Sequence, residues 1–266
     1  MLNIVVCMKL VQDPEAPVSS FKIDPESKRA IPAAGTPPVL NPFDENALEG
    51  ALRLKAAAGA GGAKVTVISM GKVIAKAVMR KTYAVGADNL ILLEDPVLDS
   101  FDPWFSATIL AAAIKKQGAF DLVLCGRQAA DTDAGQTGSG IAEILGIPSV
   151  TLARKVDYTG GLFKVERVLP DGFETLEVPA PVLVTATNEM GELRSAAVAA
   201  LMAAQKKPIT TWKATDLGLD VSKLEKQRIA QLFIPVRQVQ CTLVTGGTPA
   251  EAGANLALKL KEAKLF

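Results

Sequence analysis

The 266-residue sequence contains no histidine. Every Ser-His-Asp or Cys-His triad and every His-ligated zinc or haem site needs an imidazole, so this chain supplies none of those chemistries by itself. Cysteine is scarce: Cys7, Cys125 and Cys241 lie far apart and form no CxxC pair. An odd number inside apolar runs reads as reduced, buried thiols rather than a disulfide framework, and suits a cytoplasmic setting. No apolar run approaches the ~18–20 residues of a membrane span, so a soluble protein is expected. The 29 basic and 28 acidic residues leave a net charge of +1, without the field that draws a chain to nucleic acid or anionic lipid. Neither a P-loop lysine spacing nor a GxGxxG follows any apolar run, and no internal repeat is visible. Residues 1–7 are too short, and too promptly followed by Lys9 and Asp13, to read as a secretory leader. They read as a first strand.

What is present alternates. Residues 4–7, 64–69, 89–93 and 121–125 are short, near-continuously apolar runs, as strands buried on both faces must be. Between them, residues 44–58 carry Ala47, Leu48, Ala51 and Leu52 on one helical face against Glu45, Glu49, Arg53 and Lys55. Residues 72–84 and 104–116 behave likewise, which predicts a parallel sheet with helical crossovers. After Gly146-Ile147-Pro148 the texture changes. Residues 150–158, 162–169 and 173–178 are joined by Thr159-Gly160-Gly161 and Pro170-Asp171-Gly172, which signal antiparallel hairpins. Residues 182–187 form one more strand, and residues 196–205 an alanine-rich helix stopped at Pro208. Periodicity is thin over residues 209–240 and returns only in 249–264, with Leu256 and Leu260 on one side. The expected organisation is an α/β domain over 1–207, antiparallel over about 150–180, and an arm over 208–266. The arm either lies on a partner or folds back on its own domain.

The richest segment runs from Cys125 to Gly138, leaving a buried strand and entering a helix that carries Ile141, Ile144 and Leu145. Open α/β sheets bind ligands at such strand ends. Small residues admit a phosphate to the backbone, and the free amides of a helix start attract anionic oxygens. Thr137 and the amides of residues 135–138 are the candidate phosphate donors. Asp131 and Asp133 repel a phosphate unless they cap a helix, hold a cation or accept from ribose hydroxyls. Asn41-Pro42-Phe43-Asp44-Glu45 reads as a well-made helix start, with Asn41 able to cap and Pro42 at the first turn. Residues 188–207 form a loop and helix whose small apolar surface either docks a partner or faces solvent.

Together these segments resemble electron transfer flavoprotein β subunits, a family that includes FixA-type proteins. The resemblance rests on ordered co-occurrence over Met1 to about Asp220. It includes Asn41-Pro42-Phe43 with Glu49, Gly86-Ala87-Asp88, the Gly126-to-Gly138 loop with Gln128, Ala129, Asp131, Asp133, Gln136 and Thr137, and Lys164-Val165-Glu166-Arg167. Glu174-Thr175-Leu176, Asn188-Glu189, Lys206-Lys207-Pro208-Ile209 and Asp216-Leu217-Gly218-Leu219-Asp220 complete it. The resemblance implies a Rossmann-like, mostly parallel sheet flanked by helices, with an antiparallel hairpin extension and a C-terminal arm. It also implies a heterodimer whose α subunit carries the redox FAD while the β subunit holds AMP. The implied AMP contacts are Cys7, Asn41, Pro42, Phe43, Asp44, Met70, Gly126, Arg127, Gln128, Ala129, Asp131, Thr132, Asp133, Ala134, Gly135, Gln136 and Thr137. Phe43 is expected at the subunit interface near the α-subunit flavin.

Such a chain is an electron carrier rather than an enzyme, passing electrons from acyl-CoA-type dehydrogenases to a quinone reductase or another acceptor. In the family's electron-bifurcating branch, an NADH-linked system, a second FAD replaces AMP. Pro14, where AMP-only members carry a tyrosine, and Gly140-Ile141-Ala142-Glu143 resemble that branch. Pro103, Trp104 and Phe105 instead put bulk where that branch needs an open crevice, and Thr137 adds a hydroxyl for a terminal phosphate. AMP is therefore the expected ligand. Readings of other classes are a free-standing adenine-nucleotide regulator, and a nucleotide hydrolase using Asp131 and Asp133 with a metal.

Overall fold

The computed structural model describes residues 1–17, 21–31, 35–235 and 241–265. Contacts divide the chain into two units, Met1–Gln231 and Leu232–Phe266. The first unit begins with β1 (Leu2–Cys7), β2 (Leu10–Val11), β3 (Lys22–Asp24), β4 (Arg29–Ile31), β5 (Val39–Leu40) and α1 (Pro42–Ala57). Next come β6 (Ala63–Gly71), α2 (Lys76–Met79), α3 (Lys81–Val85), β7 (Asn89–Glu94), α4 (Pro103–Gln117), β8 (Leu122–Gly126) and α5 (Thr137–Leu145). The unit continues with β9 (Ser149–Thr159), β10 (Leu162–Leu169), β11 (Gly172–Pro179), β12 (Val182–Ala186), α6 (Val198–Lys206) and β13 (Thr210–Trp212).

The apolar runs become the interior of a nine-stranded sheet in the order β11-β10-β9-β12-β8-β1-β6-β7-β13. From β9 to β13 neighbouring strands are parallel, and β9, β10 and β11 pair antiparallel as the glycine-rich turns predict. Alternation along each strand divides the core. Ile4, Val6, Val65, Val67 and Leu124 pack with Leu48, Ala51 and Leu52 of α1. Val5, Ile68 and Val123 pack on the other face with Ile109 and Ile114 of α4 and Ile141 of α5. β1 therefore sits where crossovers diverge to opposite faces, and the crevice at its carboxyl end is the topological switch point of the sheet.

The helix expected over residues 72–84 is divided. The Glu94 carboxylate accepts the Ile74 amide at 3.1 Å and pairs with Lys76 at 2.7 Å, which keeps residues 72–75 out of the helix. At the junction of α2 and α3 the Thr82 hydroxyl donates to the Met79 carbonyl at 2.8 Å. The short hairpins β2-β5 and β3-β4 carry too few residues to show a period in the sequence.

Packing of the first unit continues past Lys207, where the sequence placed the start of the arm. β13 extends the sheet beside β7, Ala214 is buried, and the Tyr83 hydroxyl donates to the Pro208 carbonyl at 2.6 Å. Residues 236–240 of the aperiodic stretch lie outside the described residues. The second unit holds α7 (Pro249–Glu262), started by Pro249 and by Thr248, whose hydroxyl accepts the Glu251 amide at 3.2 Å. No residue of α7 is buried. Cys7 and Cys125 are buried free thiols, but Cys241 is exposed, in a unit none of whose described residues is buried. Among the described residues no helix is long and apolar enough to cross a membrane.

Candidate functional site

A cleft of about 450 Å³ opens at the carboxyl ends of β8, β1 and β6 and reaches the loop that follows β7. It lies within the ~300–1,000 Å³ typical of ligand sites. Most residues named from the sequence converge here: Cys7, Asn41, Asp44 and Met70 on one side, with Gly126 to Ala129 beyond them. Asp131, Thr132, Ala134, Gly135, Gln136 and Thr137 line the remainder. Pro42, Phe43 and Asp133 stay outside the lining.

Asn41 stands at the N-cap of α1, but its side chain makes no cap there. It turns to the loop after β8, donating to the Gln128 carbonyl at 2.9 Å and accepting the Ala130 amide at 3.0 Å. Asp44 is a brace as well. Its carboxylate accepts the Lys9 amide and the Gly126 amide, each at 2.8 Å. Burial pushes its pKa up to about 6, and those hydrogen bonds offset only part of the shift. Burial likewise pushes the Cys7 thiol up to about 12 and raises that of Cys125, so both are neutral, inert walls.

Neither aspartate of the loop caps α5. Asp131 pairs with the Lys9 ammonium at 2.7 Å, and Asp133 accepts from the Gln128 amide nitrogen at 2.7 Å. The N-cap of α5 is Gln136, whose side chain makes no capping bond, so the first amides of the helix keep their donors for a ligand. Gly135 takes a left-handed φ of +63°, which glycine alone adopts without strain. Gly138 lets α5 approach the sheet, since a Cβ there would lie 2.8 Å from Cys125 Sγ.

Three cations of the cleft are held by carboxylates: Lys9 by Asp131, Arg29 by Asp99 at 2.6 Å, and Lys72 by Asp99 at 3.6 Å. Arg127 has no ion pair among the described residues. Its guanidinium lies over the half-buried Phe43 ring at 4.8 Å, and its buried Nε has no hydrogen-bond partner there. Ser69 Oγ is also buried without one. Free helix amides, a small-residue loop, an uncommitted guanidinium and an unpaired hydroxyl form a donor set that fits an anionic, polar ligand such as an adenine nucleotide. Lys9, Ser69, Lys72, Arg29 and Phe101 line the cleft and were not named from the sequence. The strand-end rule applied to β6 would have found Ser69 beside Met70. Arg29 and Phe101 come from a hairpin and a loop whose approach, 4.3 Å between guanidinium and ring, leaves no local sequence signal.

The electron transfer flavoprotein domain matches residues 31–217 of this chain. The chain belongs to the electron transfer flavoprotein family. It is 37% identical over 265 residues to the caffeyl-CoA reductase-Etf complex subunit CarD of Acetobacterium woodii, covering 98% of each chain. It is 41% identical to the electron transfer flavoprotein subunit beta of Clostridium acetobutylicum, covering 84% of this chain and 83% of that one. Protein FixA of Azorhizobium caulinodans is 33% identical, with 96% and 93% covered. These likenesses place the chain among the β-type, FixA-like subunits that serve electron transfer.

Proposed function

We propose that this electron transfer flavoprotein chain is the β subunit of a heterodimer that carries electrons from acyl-CoA-type dehydrogenases to a quinone reductase or another acceptor. The redox group is FAD held mainly by an α subunit; when bound, it supplies the electron-accepting and electron-donating chemistry. The observation that carries the reading is the make-up of the cleft. Its amides and small residues bind, its thiols are neutral, and its buried carboxylate, Asp44, is occupied by two backbone amides. Such residues position a nucleotide and exclude water from it. Phe43, half-buried under Arg127 and outside the cleft lining, is free to face the α subunit.

The cleft holds an adenine nucleotide, its phosphate on the amides of residues 135–138 with Arg127 and Thr137. AMP is the ligand favoured by the sequence, on the argument that Pro103, Trp104 and Phe105 fill the crevice. Two of these face elsewhere: Trp104 is 43% exposed and outside the lining, and Phe105 is buried among α4 contacts. Only Pro103 and Ser106 of that stretch reach the wall. The cleft covers the ends of β8, β1 and β6 and the loop after β7, about 14 Å at ~4.8 Å per strand, and neither Trp104 nor Phe105 closes it. That extent favours a second FAD in the cleft as the second reading.

Residues 232–266 supply the arm that lies on the α subunit. α7 leaves Leu256 and Leu258 46% and 59% exposed, which suits a helix completed by another chain. Exposed Val198 and Met202 on α6 suit a transient dehydrogenase contact. Unpaired cysteines suit a cytoplasmic complex. Purifying the chain with whatever accompanies it and recording the visible spectrum tests the reading. A yellow complex with a flavin-bearing second subunit is expected. A colourless monomer stabilised by nucleotide would instead make the chain a free-standing regulator.

A further inference from the structure

Ser69 is 1% exposed and lines the cleft, and its hydroxyl has no hydrogen-bond partner among the described residues. A buried hydroxyl without a partner is costly in a folded chain and marks a place where something else completes the bond. Alternation along β6 puts Ser69 on the same face as Val65 and Val67, which pack with Leu48 and Leu52 of α1. The start of α5 belongs to the opposite face, where Gly138 abuts Cys125 and Thr185. The two uncommitted polar ends of the cleft thus flank the end of β1 from opposite faces of the sheet. Other polar groups on the α1 side are engaged, Asn41 by Gln128 and Ala130, and Asp44 by Lys9 and Gly126.

We infer that Ser69 is a ligand-binding residue of the cleft, its hydroxyl hydrogen-bonding the nucleoside part of the nucleotide while Arg127 and the α5 amides hold the phosphate. The inference rests on the nucleotide reading proposed above. Adenosine is common to AMP and FAD, so it applies to either ligand. A phosphate anchored at α5 directs the remainder of the molecule across β1, and Ser69 is the buried hydroxyl waiting there. A hydroxyl suits a neutral partner, a sugar hydroxyl or ring nitrogen, because it both donates and accepts. Arg127 suits the anionic end.

The test uses the complex with its partner subunit, freed of nucleotide by dialysis and titrated calorimetrically with AMP and with adenosine. Ser69→Ala is expected to weaken both ligands by the same factor, about tenfold for one lost hydrogen bond. Ser69→Thr, which keeps the hydroxyl, restores binding to within about twofold of the parent. Arg127→Gln weakens AMP and leaves adenosine unchanged. The melting temperature of the nucleotide-free Ser69→Ala complex stays the same or rises, whereas a hydroxyl with a structural bond would lower it. Equal binding of AMP and adenosine by Ser69→Ala and the parent overturns the assignment, as does a loss confined to AMP. A parent complex that binds neither AMP nor adenosine overturns the nucleotide reading itself, so the two failures are distinguishable.

Discussion

Asp44 accepts the backbone amide of Gly126 at 2.8 Å, so the first turn of α1 is fastened to the end of β8. Its other carboxylate oxygen takes the Lys9 amide at the same distance, which adds the end of β1. One side chain therefore holds together three elements of the cleft before any ligand arrives.

The burial of this carboxylate predicts a pH dependence. Burial raises Asp44 from 3.8 to about 6, so between those values the folded state binds the extra proton. Its contribution to stability is fully present below about pH 4 and is lost as pH rises through 6. Asp44→Asn removes the titration and leaves one amide without an acceptor. Urea unfolding from pH 4 to 7 is expected to show the parent losing roughly 2–3 kcal/mol relative to the variant, from ~1.4 kcal/mol per pKa unit. A stability difference independent of pH contradicts the raised pKa of the buried carboxylate.

Gly126 and Gly135 fail differently when substituted. A Cβ at Gly126 would lie 2.6 Å from Phe43 Cβ and 2.7 Å from Asp44 Oδ1, so Gly126→Ala forces α1 from β8 and costs about 2–3 kcal/mol. Gly135 meets only the Arg127 carbonyl at 3.4 Å, and the penalty there is the left-handed backbone, about 1–2 kcal/mol. Gly135→Val is expected to lower nucleotide content after acid extraction, and to lower the melting temperature of the nucleotide-free protein by a few degrees through the left-handed backbone alone. Gly126→Ala lowers both.

Legibility followed physical range. Val65, Val67 and Ile68 announce a strand buried on both faces within a few residues, and Thr159-Gly160-Gly161 announces its turn, so the sheet was readable. The loop from Gly126 to Thr137 was readable for the same reason: small residues between a strand and a helix are a local pattern. Asn41 and Asp44 were read as a helix start, and the position was right, but their partners lie 87 and 82 residues away at Gln128 and Gly126. No window of sequence contains that bond. Trp104 shows the same limit, since which face of α4 it occupies decides whether the crevice is closed, and an apolar residue at a helix start does not declare it.

The loop before α6 hangs on α1. Glu49 accepts from Nε and Nη2 of Arg194, each at 3.0 Å, and from Nε of Arg53 at 3.0 Å, and Asn46 donates to the Gly191 carbonyl at 2.7 Å. Burial pushes the Glu49 carboxyl up, and the bonds from Arg194 and Arg53 outweigh it and leave it below the usual range. Glu49→Gln is expected to speed amide exchange over residues 191–197 about tenfold, a local loss of ~1.4 kcal/mol, without altering exchange within α1. Unchanged loop exchange would mean that the ion pair does not position it.

Because α7 buries none of its residues, its amides are expected to exchange quickly in the isolated chain and slowly in the complex. A helix equally protected in both states would contradict the proposal that residues 232–266 lie on the partner.

The cleft's occupancy is the central claim, and counting what it releases tests it most directly. The purified complex is denatured, and flavin and adenylate are separated by chromatography and counted per heterodimer. One adenine nucleotide beyond the shared FAD is predicted, as two FAD for the longer ligand or as one FAD and one AMP for the shorter. One FAD with no further nucleotide would contradict the account.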